Sequence, residues 1–168
     1  MVNKKLKTAL ELGLQPIVCV GETREEKDSN KTAEVLSTQL KESLQDITAA
    51  QIKGVILAYE PVWAISSGLA SQNSGENRAA TSEDANEGVK MIRTEIARLY
   101  GEEVAERVII QYGGSMKSSN TVELNSMPEI DGGLVGGAST DPAEFAKTIE
   151  GASKARECGR GCCCGNER

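Results

Sequence analysis

The chain has 168 residues, a net charge of −6 at pH 7 and no histidine. Its length is that of a single domain, and its negative charge argues against a nucleic-acid partner bound through electrostatics. No apolar run approaches the ~20 residues that a membrane span needs, and the polar start lacks a signal-peptide core. We therefore expect a cytoplasmic protein with no membrane partner.

Apolar runs of strand length alternate with segments of helical periodicity. A first helix ends near Gly13, and the apolar residues Pro16–Val20 form a short strand. A helix is predicted over Asn30–Ile47, where apolar residues recur three or four positions apart. The apolar run Gly54–Tyr59 is the second strand. Within the first strand, Cys19 is expected to be a small core residue rather than a working thiol.

The second half of the chain repeats this order. Thr81 and Asp84 fit a capping box at the start of a helix. The later elements are a strand over Val108–Tyr112, a short helix over Ser118–Ser126, a glycine-rich strand over Asp131–Gly136 and a final helix that begins at Pro142. Strands that are apolar on both faces and separated by helices predict an α/β fold with a parallel sheet.

Glu60 is the candidate catalytic residue because it directly follows the second strand, in the run Ala58-Tyr59-Glu60-Pro61-Val62-Trp63-Ala64-Ile65. In parallel α/β architectures the ligand crevice lies at the carboxyl ends of the strands. Pro61 fixes its own φ and biases Glu60 toward extended geometry. A carboxylate held there can act as a general base. A structural ion pair with a neighbouring arginine fits its position equally well.

Glycine pairs follow the third and fourth strands. Tyr112-Gly113-Gly114-Ser115 leaves one strand, and Gly136-Gly137-Ala138-Ser139 leaves the next. Glycines let the backbone approach an anion, and free amides at a turn or helix start bind phosphate. Each motif alone is a weak signal. At consecutive strand ends they predict a shared phosphate site.

These motifs, together with PIVCVGET at Pro16–Thr23 and DGGLVGGAS at Asp131–Ser139, closely resemble the C-terminal half of triosephosphate isomerases in order and spacing. The resemblance covers roughly Val2–Ile149. It implies half of a (β/α)₈ (TIM) barrel, with four parallel strand–helix units. It also implies an isomerase of glycolysis and gluconeogenesis that interconverts dihydroxyacetone phosphate and glyceraldehyde 3-phosphate without cofactor or metal. The expected partners are a small phosphorylated triose and a second subunit in a homodimer.

The resemblance implies a role for each matching residue. Glu60 is the base that moves a proton between two substrate carbons. The residues that hold the phosphate are Ser66, Ser115, Gly136 and Gly137. The lid that closes over the substrate contains Pro61, Val62, Trp63, Ala64, Ile65 and Gly68. Tyr112 and Ser115 hold the closed lid by hydrogen bonds.

The sequence also departs from the family pattern. The family's lysine and histidine, which neutralise and polarise the substrate, have no counterpart in this chain. A complete barrel takes ~250 residues, so we expect a fragment that needs a complementary half or associates edge to edge with a second copy. Two alternatives are a catalytically inactive half-barrel that only binds phosphate esters and a truncated gene product.

Two further segments depart from the family. In the lid, Ser66 replaces a glycine, Leu69 replaces a lysine, and Ser71–Ala79 resembles an insertion at the second hinge. We expect a domain over residues 1–151 and a disordered, cysteine-rich tail over 152–168. The tail cysteines are Cys158, Cys162, Cys163 and Cys164. Their number suits a tetrahedral Zn²⁺ site but their spacing does not, and we predict no metal site.

Overall fold

The computed structural model describes residues 1–65 and 80–161, with side chains described through residue 155. One sheet contains the strands β1 (Ile17–Val20), β2 (Ile56–Tyr59), β3 (Ile110–Tyr112) and β4 (Gly132–Gly133), which pair in parallel in that order. The helices are α1 (Val2–Glu11), α2 (Arg24–Asp28), α3 (Thr32–Ser43), α4 (Ala49–Ile52), α5 (Ser82–Tyr100), α6 (Glu102–Arg107), α7 (Thr121–Ser126) and α8 (Pro142–Gly161). The predicted parallel sheet of four strand–helix units is confirmed.

Helices α3 and α5 cover one face of the sheet. The strand residues buried against them are Val18, Val20, Leu57, Tyr59, Ile110 and Tyr112. On β1 the alternate positions are exposed, with Ile17 at 43% and Cys19 also open. The prediction that Cys19 is a core residue is therefore wrong. Successive strand residues point to opposite faces, and Cys19 lies on the face opposite the helical layer.

The helix predicted over Asn30–Ile47 is shorter at both ends. Asn30 has φ +56°, a left-handed conformation that stops helix α2 from running into α3. Helix α3 ends at Ser43, and Asp46 again takes a positive φ. Ile47 is buried beyond the helix rather than on it. The apolar spacing that included Ile47 predicted its burial correctly, although Ile47 lies on a turn, because a turn can place a side chain in the core as well as a helix can.

The fourth strand is shorter than the predicted Asp131–Gly136. Only Gly132 and Gly133 form ladder pairs, and at Gly136 the backbone turns away with ψ −101°. Its start is held by a carboxylate, because Asp131 Oδ2 accepts hydrogen bonds from Ile110 N and Arg93 Nη2, both at 2.8 Å. Arg93 Nη1 also donates to the Ala105 carbonyl at 2.8 Å. This arginine of α5 therefore fixes the strand that leads to the last glycine pair.

Helix α8 runs from Pro142 to Gly161, past residue 152 where the tail was expected to be disordered. That prediction is wrong for 152–161. Ala155 is 3% exposed, and the segment Ala152–Glu157 contains alanine, lysine, arginine and glutamate, which favour helix. Residues 162–168 lie outside the described residues, and the domain boundary stays a prediction.

No helix within residues 1–65 and 80–161 is both long enough and apolar enough to cross a membrane.

Gly88 allows α5 to lie directly on the sheet, because a Cβ there would overlap the ring of Tyr59. Alanine in a helix interior usually stabilises relative to glycine by about 1 kcal/mol. We expect the opposite for Gly88→Ala, a loss of about 1–3 kcal/mol in the free energy of unfolding measured by urea titration. Gly54→Ala is the control, because the nearest atom to the new Cβ would be the Gln51 carbonyl oxygen at 3.5 Å, an ordinary contact distance. Equal stability of the two variants would contradict this packing.

Candidate active site

Glu60 lies at the carboxyl end of β2, where the backbone is held to the neighbouring strand. Its amide donates to the Val20 carbonyl at 2.8 Å. Its side chain lies against Gly113, where a Cβ would overlap the Glu60 Cγ. Glu60 is half-buried. The first glycine of the pair after β3 therefore serves the carboxylate, by leaving space for it.

Two clefts meet at Glu60. The glycine-loop cleft, of about 640 Å³, is lined by Glu60 together with Gly113, Gly114, Ser115, Gly136 and Gly137. The amino-terminal cleft, of about 400 Å³, is lined by Glu60 together with Cys19, Gly21, Gln39 and the first residues of α1. The structure thus brings together the described residues predicted for base and phosphate. It places the carboxylate between two spaces large enough for a small ligand.

The two glycine loops differ in how free they are. Gly136 and Gly137 are exposed, and a Cβ on either would meet no atom within 4 Å. Gly137 begins a 3₁₀ turn that ends at Thr140. In contrast, the Ser115 amide already donates to the Ala64 carbonyl at 3.1 Å. The last loop is open to an anion, whereas the Ser115 amide is bonded to the start of the lid.

Charged side chains also line the glycine-loop cleft. Lys117 supplies a cation, while Asp141 and Glu144 supply anions. Glu144 Oε1 accepts a hydrogen bond from the Ser118 amide at 2.8 Å. The bonds from Ser118 lower the pKa of Glu144. The Glu144 carboxylate therefore binds the backbone of the loop before α7 through the Ser118 amide.

Tyr112 is fully buried beneath the Gly113–Ser115 loop. A Cβ at Gly114 would overlap its hydroxyl oxygen, and this oxygen has no hydrogen-bond partner among the described residues. Burial, and then the charge of Asp84, raise the pKa of Tyr112 to about 12. The hydroxyl is therefore protonated at neutral pH and has an unused hydrogen bond to give.

The start of the predicted lid makes several contacts around Trp63. Val62–Ala64 form a 3₁₀ turn, and the Trp63 indole N–H donates to Glu22 Oε1 at 2.9 Å. The cationic groups of Arg24 and Lys27 lie 5.7 Å and 5.4 Å from the ring centroid, within the range of a cation–π contact. Of the predicted lid and phosphate residues, Ser66 and Gly68 lie outside the described residues, as do Leu69 and Ser71–Ala79.

Glu22 is a site residue that the sequence reasoning missed. Its carboxylate is 0% exposed and accepts hydrogen bonds from the Tyr59 hydroxyl at 3.0 Å and from Trp63. Burial, and then the Glu22 charge, raise the pKa of Tyr59 well above its ordinary value. The available signal was positional, since Glu22 follows the end of β1 much as Glu60 follows β2.

Cys19 lies beside Glu60 and lines the amino-terminal cleft. Partial burial, followed by the Glu60 charge and hydrogen bond, raises the pKa of this thiol to about 11. Cys19 is therefore a protonated thiol at neutral pH, and its ionisation is sensitive to where the Glu60 carboxylate lies.

No cluster of three or more histidine, cysteine, aspartate or glutamate side chains within the described residues is arranged to hold a metal ion. Three of the four tail cysteines (Cys162, Cys163 and Cys164) lie outside the described residues, and the side chain of Cys158 is not described. The prediction for the tail stays a prediction.

The fold and site together define part of a (β/α)₈ barrel, with a carboxylate and two glycine loops at the carboxyl ends of its strands. The family model for triosephosphate isomerase matches residues 1–152. The chain belongs to this family.

Among its relatives, the triosephosphate isomerase of Thermoanaerobacter sp. (strain X514) is 50% identical over 149 residues, 89% of this chain and 56% of the relative. Those of Chloroherpeton thalassium and Fusobacterium nucleatum are 47% and 46% identical, over 57% and 56% of their lengths. The chain thus spans somewhat more than half the length of the curated relatives it matches. These shares do not say which half, so the placement in the C-terminal half stays a prediction.

Glu22→Gln tests the buried carboxylate. The amide keeps the shape but removes the negative charge that strengthens the hydrogen bonds from Tyr59 and Trp63. It also places an NH₂ donor where Oε2 accepts from the Tyr59 hydroxyl at 3.2 Å. We expect the free energy of unfolding to fall by about 1–3 kcal/mol, and the fluorescence of Trp63, the only tryptophan, to change. Glu25→Gln, an exposed neighbour, is the control. A change no larger than that of the control would contradict this role.

Proposed function

We propose that this chain supplies the base, the start of the lid and the phosphate-binding loops of a triosephosphate isomerase. The observation that carries the proposal is that Glu60, Ser115, Gly136 and Gly137 line one cleft. Family membership supports it, because the matched relatives are named triosephosphate isomerase. The substrate is a small phosphorylated triose.

The proposed chemistry is a proton transfer within one molecule. Glu60 takes a proton from the carbon beside the substrate carbonyl, and the electron pair of the broken C–H bond forms an enediolate. Glu60 then returns the proton to the neighbouring carbon, and a second proton passes from the substrate hydroxyl oxygen to the former carbonyl oxygen. The ketone thereby becomes an alcohol, and the neighbouring alcohol becomes an aldehyde. No electrons leave the substrate, so the sequence needs no redox cofactor. The phosphate binds at Gly136 and Gly137, whose exposed backbone leaves space for it.

Two observations support a link between phosphate binding and closure of the lid. For Ser115 to donate its amide to phosphate, its bond to Ala64 has to open, and Ala64 belongs to the lid. Nearby, the buried Tyr112 hydroxyl has no partner among the described residues. An unpaired buried hydroxyl is costly, and a bond to the closed lid would satisfy it. We propose that Tyr112 and Ser115 act together as the latch, with Ser66 and Gly68 as the lid residues that close.

The proposed reaction needs an electrophile opposite Glu60 that no histidine of this sequence can supply. We propose that the lysine and histidine come from the part of the family barrel that this chain does not span, reaching Glu60 through the amino-terminal cleft. The strands β1 and β4 each have one strand neighbour within the described residues. Their open edges can pair with that part or with a second copy of the chain. Light scattering that finds a monomer at micromolar concentration would count against the second copy.

A second candidate is a half-barrel that binds phosphate esters without turnover. The absence of histidine from the sequence favours it, since the glycine loops bind phosphate independently of any proton transfer.

Joining the unmatched part of the Thermoanaerobacter relative to this chain tests the proposed reaction. We expect isomerase activity in a coupled assay, and a fall in kcat of about 10²–10⁴-fold in Glu60→Gln, the contribution of a general base. Glu106→Gln, on the exposed side of α6, is the control. A folded but inactive joined protein that still binds a phosphate ester would support the second candidate instead.

Gly137→Ala separates ligand binding from folding. A Cβ at Gly137 would meet no atom within 4 Å, so we expect the free energy of unfolding to stay within about 0.5 kcal/mol of the parent value. The new methyl group occupies the space proposed for the phosphate, and the affinity for a phosphate ester measured by calorimetry is expected to fall about tenfold or more. Gly54→Ala is the matched control. Unchanged affinity in Gly137→Ala would place the phosphate elsewhere.

A further inference from the structure

The side chain of Gln39, on the third turn of α3, pairs with both main-chain polar groups of one residue. Its Oε1 accepts from the Gly21 amide at 2.9 Å, and its Nε2 donates to the Gly21 carbonyl at 3.0 Å. Gly21 is the first residue beyond β1, an edge strand of the described sheet. Gln39 therefore satisfies both main-chain polar groups of Gly21, just beyond the strand residues whose edge is open.

Gly21 in turn lies between two backbone hydrogen bonds that join β1 to the residues after β2. The Glu60 amide donates to the main-chain carbonyl of Val20 at 2.8 Å, and the Val62 amide donates to the main-chain carbonyl of Glu22 at 3.0 Å. Between these two hydrogen bonds the two backbone segments are in contact, because a Cβ on Gly21 would overlap the Glu60 carbonyl. A shift of Gly21 must therefore shift the main chain of Glu60.

We infer that Gln39 is a positioning residue for Glu60 and for the start of the lid, acting through Gly21. It touches neither the proposed phosphate loops nor the Glu60 side chain in any hydrogen bond of the described residues. The inference rests on the proposed role of Glu60 as the base. A carboxylate that must reach a substrate carbon is sensitive to displacements of about 1 Å.

The chemistry of the pairing requires a primary amide of this length. Only a side chain that carries both a donor and an acceptor, as a primary amide does, can bind the N–H and the C=O of one residue at the same time. Methionine has nearly the same length without either group. Asparagine keeps the amide but is shorter by one methylene, so it cannot reach Gly21 from the same helix position.

The position of the segment around Gly21 can be followed through two neighbouring side chains, Cys19 and Trp63, without measuring enzyme activity. Cys19 is exposed and has its ionisation opposed by Glu60, so its alkylation rate rises if the carboxylate moves away. Trp63 is the only tryptophan, and its indole is bonded to Glu22, the residue after Gly21. Displacement of Gly21 therefore changes both signals in the folded protein.

The test compares Gln39→Met with Thr38→Met, which places the same side chain on an exposed position of the same helix. The full chain is alkylated with iodoacetamide from pH 7 to 10, and peptide mapping separates Cys19 from the four tail cysteines. In Gln39→Met we expect Cys19 to react about three- to tenfold faster at pH 8, since one pKa unit is a tenfold change in thiolate, and Trp63 emission to shift. Thr38→Met leaves both unchanged.

Circular dichroism first establishes that each variant is folded at the temperature of the experiment. If Gln39→Met does not fold, the milder Gln39→Asn decides, with the same expected direction. A folded Gln39 variant with the parent Cys19 profile and the parent Trp63 emission overturns the inference. A purely structural role would lower the melting temperature and leave both signals of the folded state as they are.

The isomerase assay distinguishes this inference from the proposed function. In the joined protein, Gln39→Met is expected to lower kcat about tenfold, while KM changes less than about twofold, because the phosphate loops are untouched. An inactive joined parent would defeat the proposed function, although the Cys19 and Trp63 results would still decide whether Gln39 positions Glu60.

Discussion

The buried carboxylate of Glu22 is the constraint on which the rest of the site depends. A carboxylate removed from water is stable only where donors satisfy it, and here those donors are the hydroxyl of Tyr59 and the indole of Trp63. One comes from β2 and the other from the start of the lid. Glu60, the proposed base, lies between these two residues in sequence. The catalytic candidate is thus fixed between two side chains bound to the same anion.

The remaining parts of the site follow from strand ends in a parallel sheet. Since β1, β2, β3 and β4 point the same way, the residues after each strand meet at one edge. Glycines at this edge serve different purposes. Gly21 and Gly113 leave space for Glu60, Gly114 leaves space for Tyr112, and Gly137 leaves space open to solvent. Of these glycines, only Gly137 leaves space that no described atom occupies.

The sequence predicted the four strand–helix units and the gathering of Glu60 with the two glycine loops, because apolar period and strand-end position are local properties. It did not predict Glu22, whose importance depends on burial by Tyr59 and Trp63 from elsewhere in the chain. Cys19 was predicted to lie in the core but is exposed, since the apolar run Pro16–Val20 does not show which alternate positions are covered. The end of α3 was missed because Asp46 adopts a positive φ, which an apolar spacing cannot reveal.

The absence of a side chain at Gly88 has a consequence beyond helix packing. Tyr59 lies with one edge of its ring against Gly88 and its hydroxyl on Glu22, and Glu22 holds Trp63. The spacing between α5 and the sheet therefore affects the position of Trp63 through the Tyr59 ring and the Glu22 carboxylate. In this molecule the outer helical layer thus contributes to the position of Val62–Ala64, the start of the predicted lid.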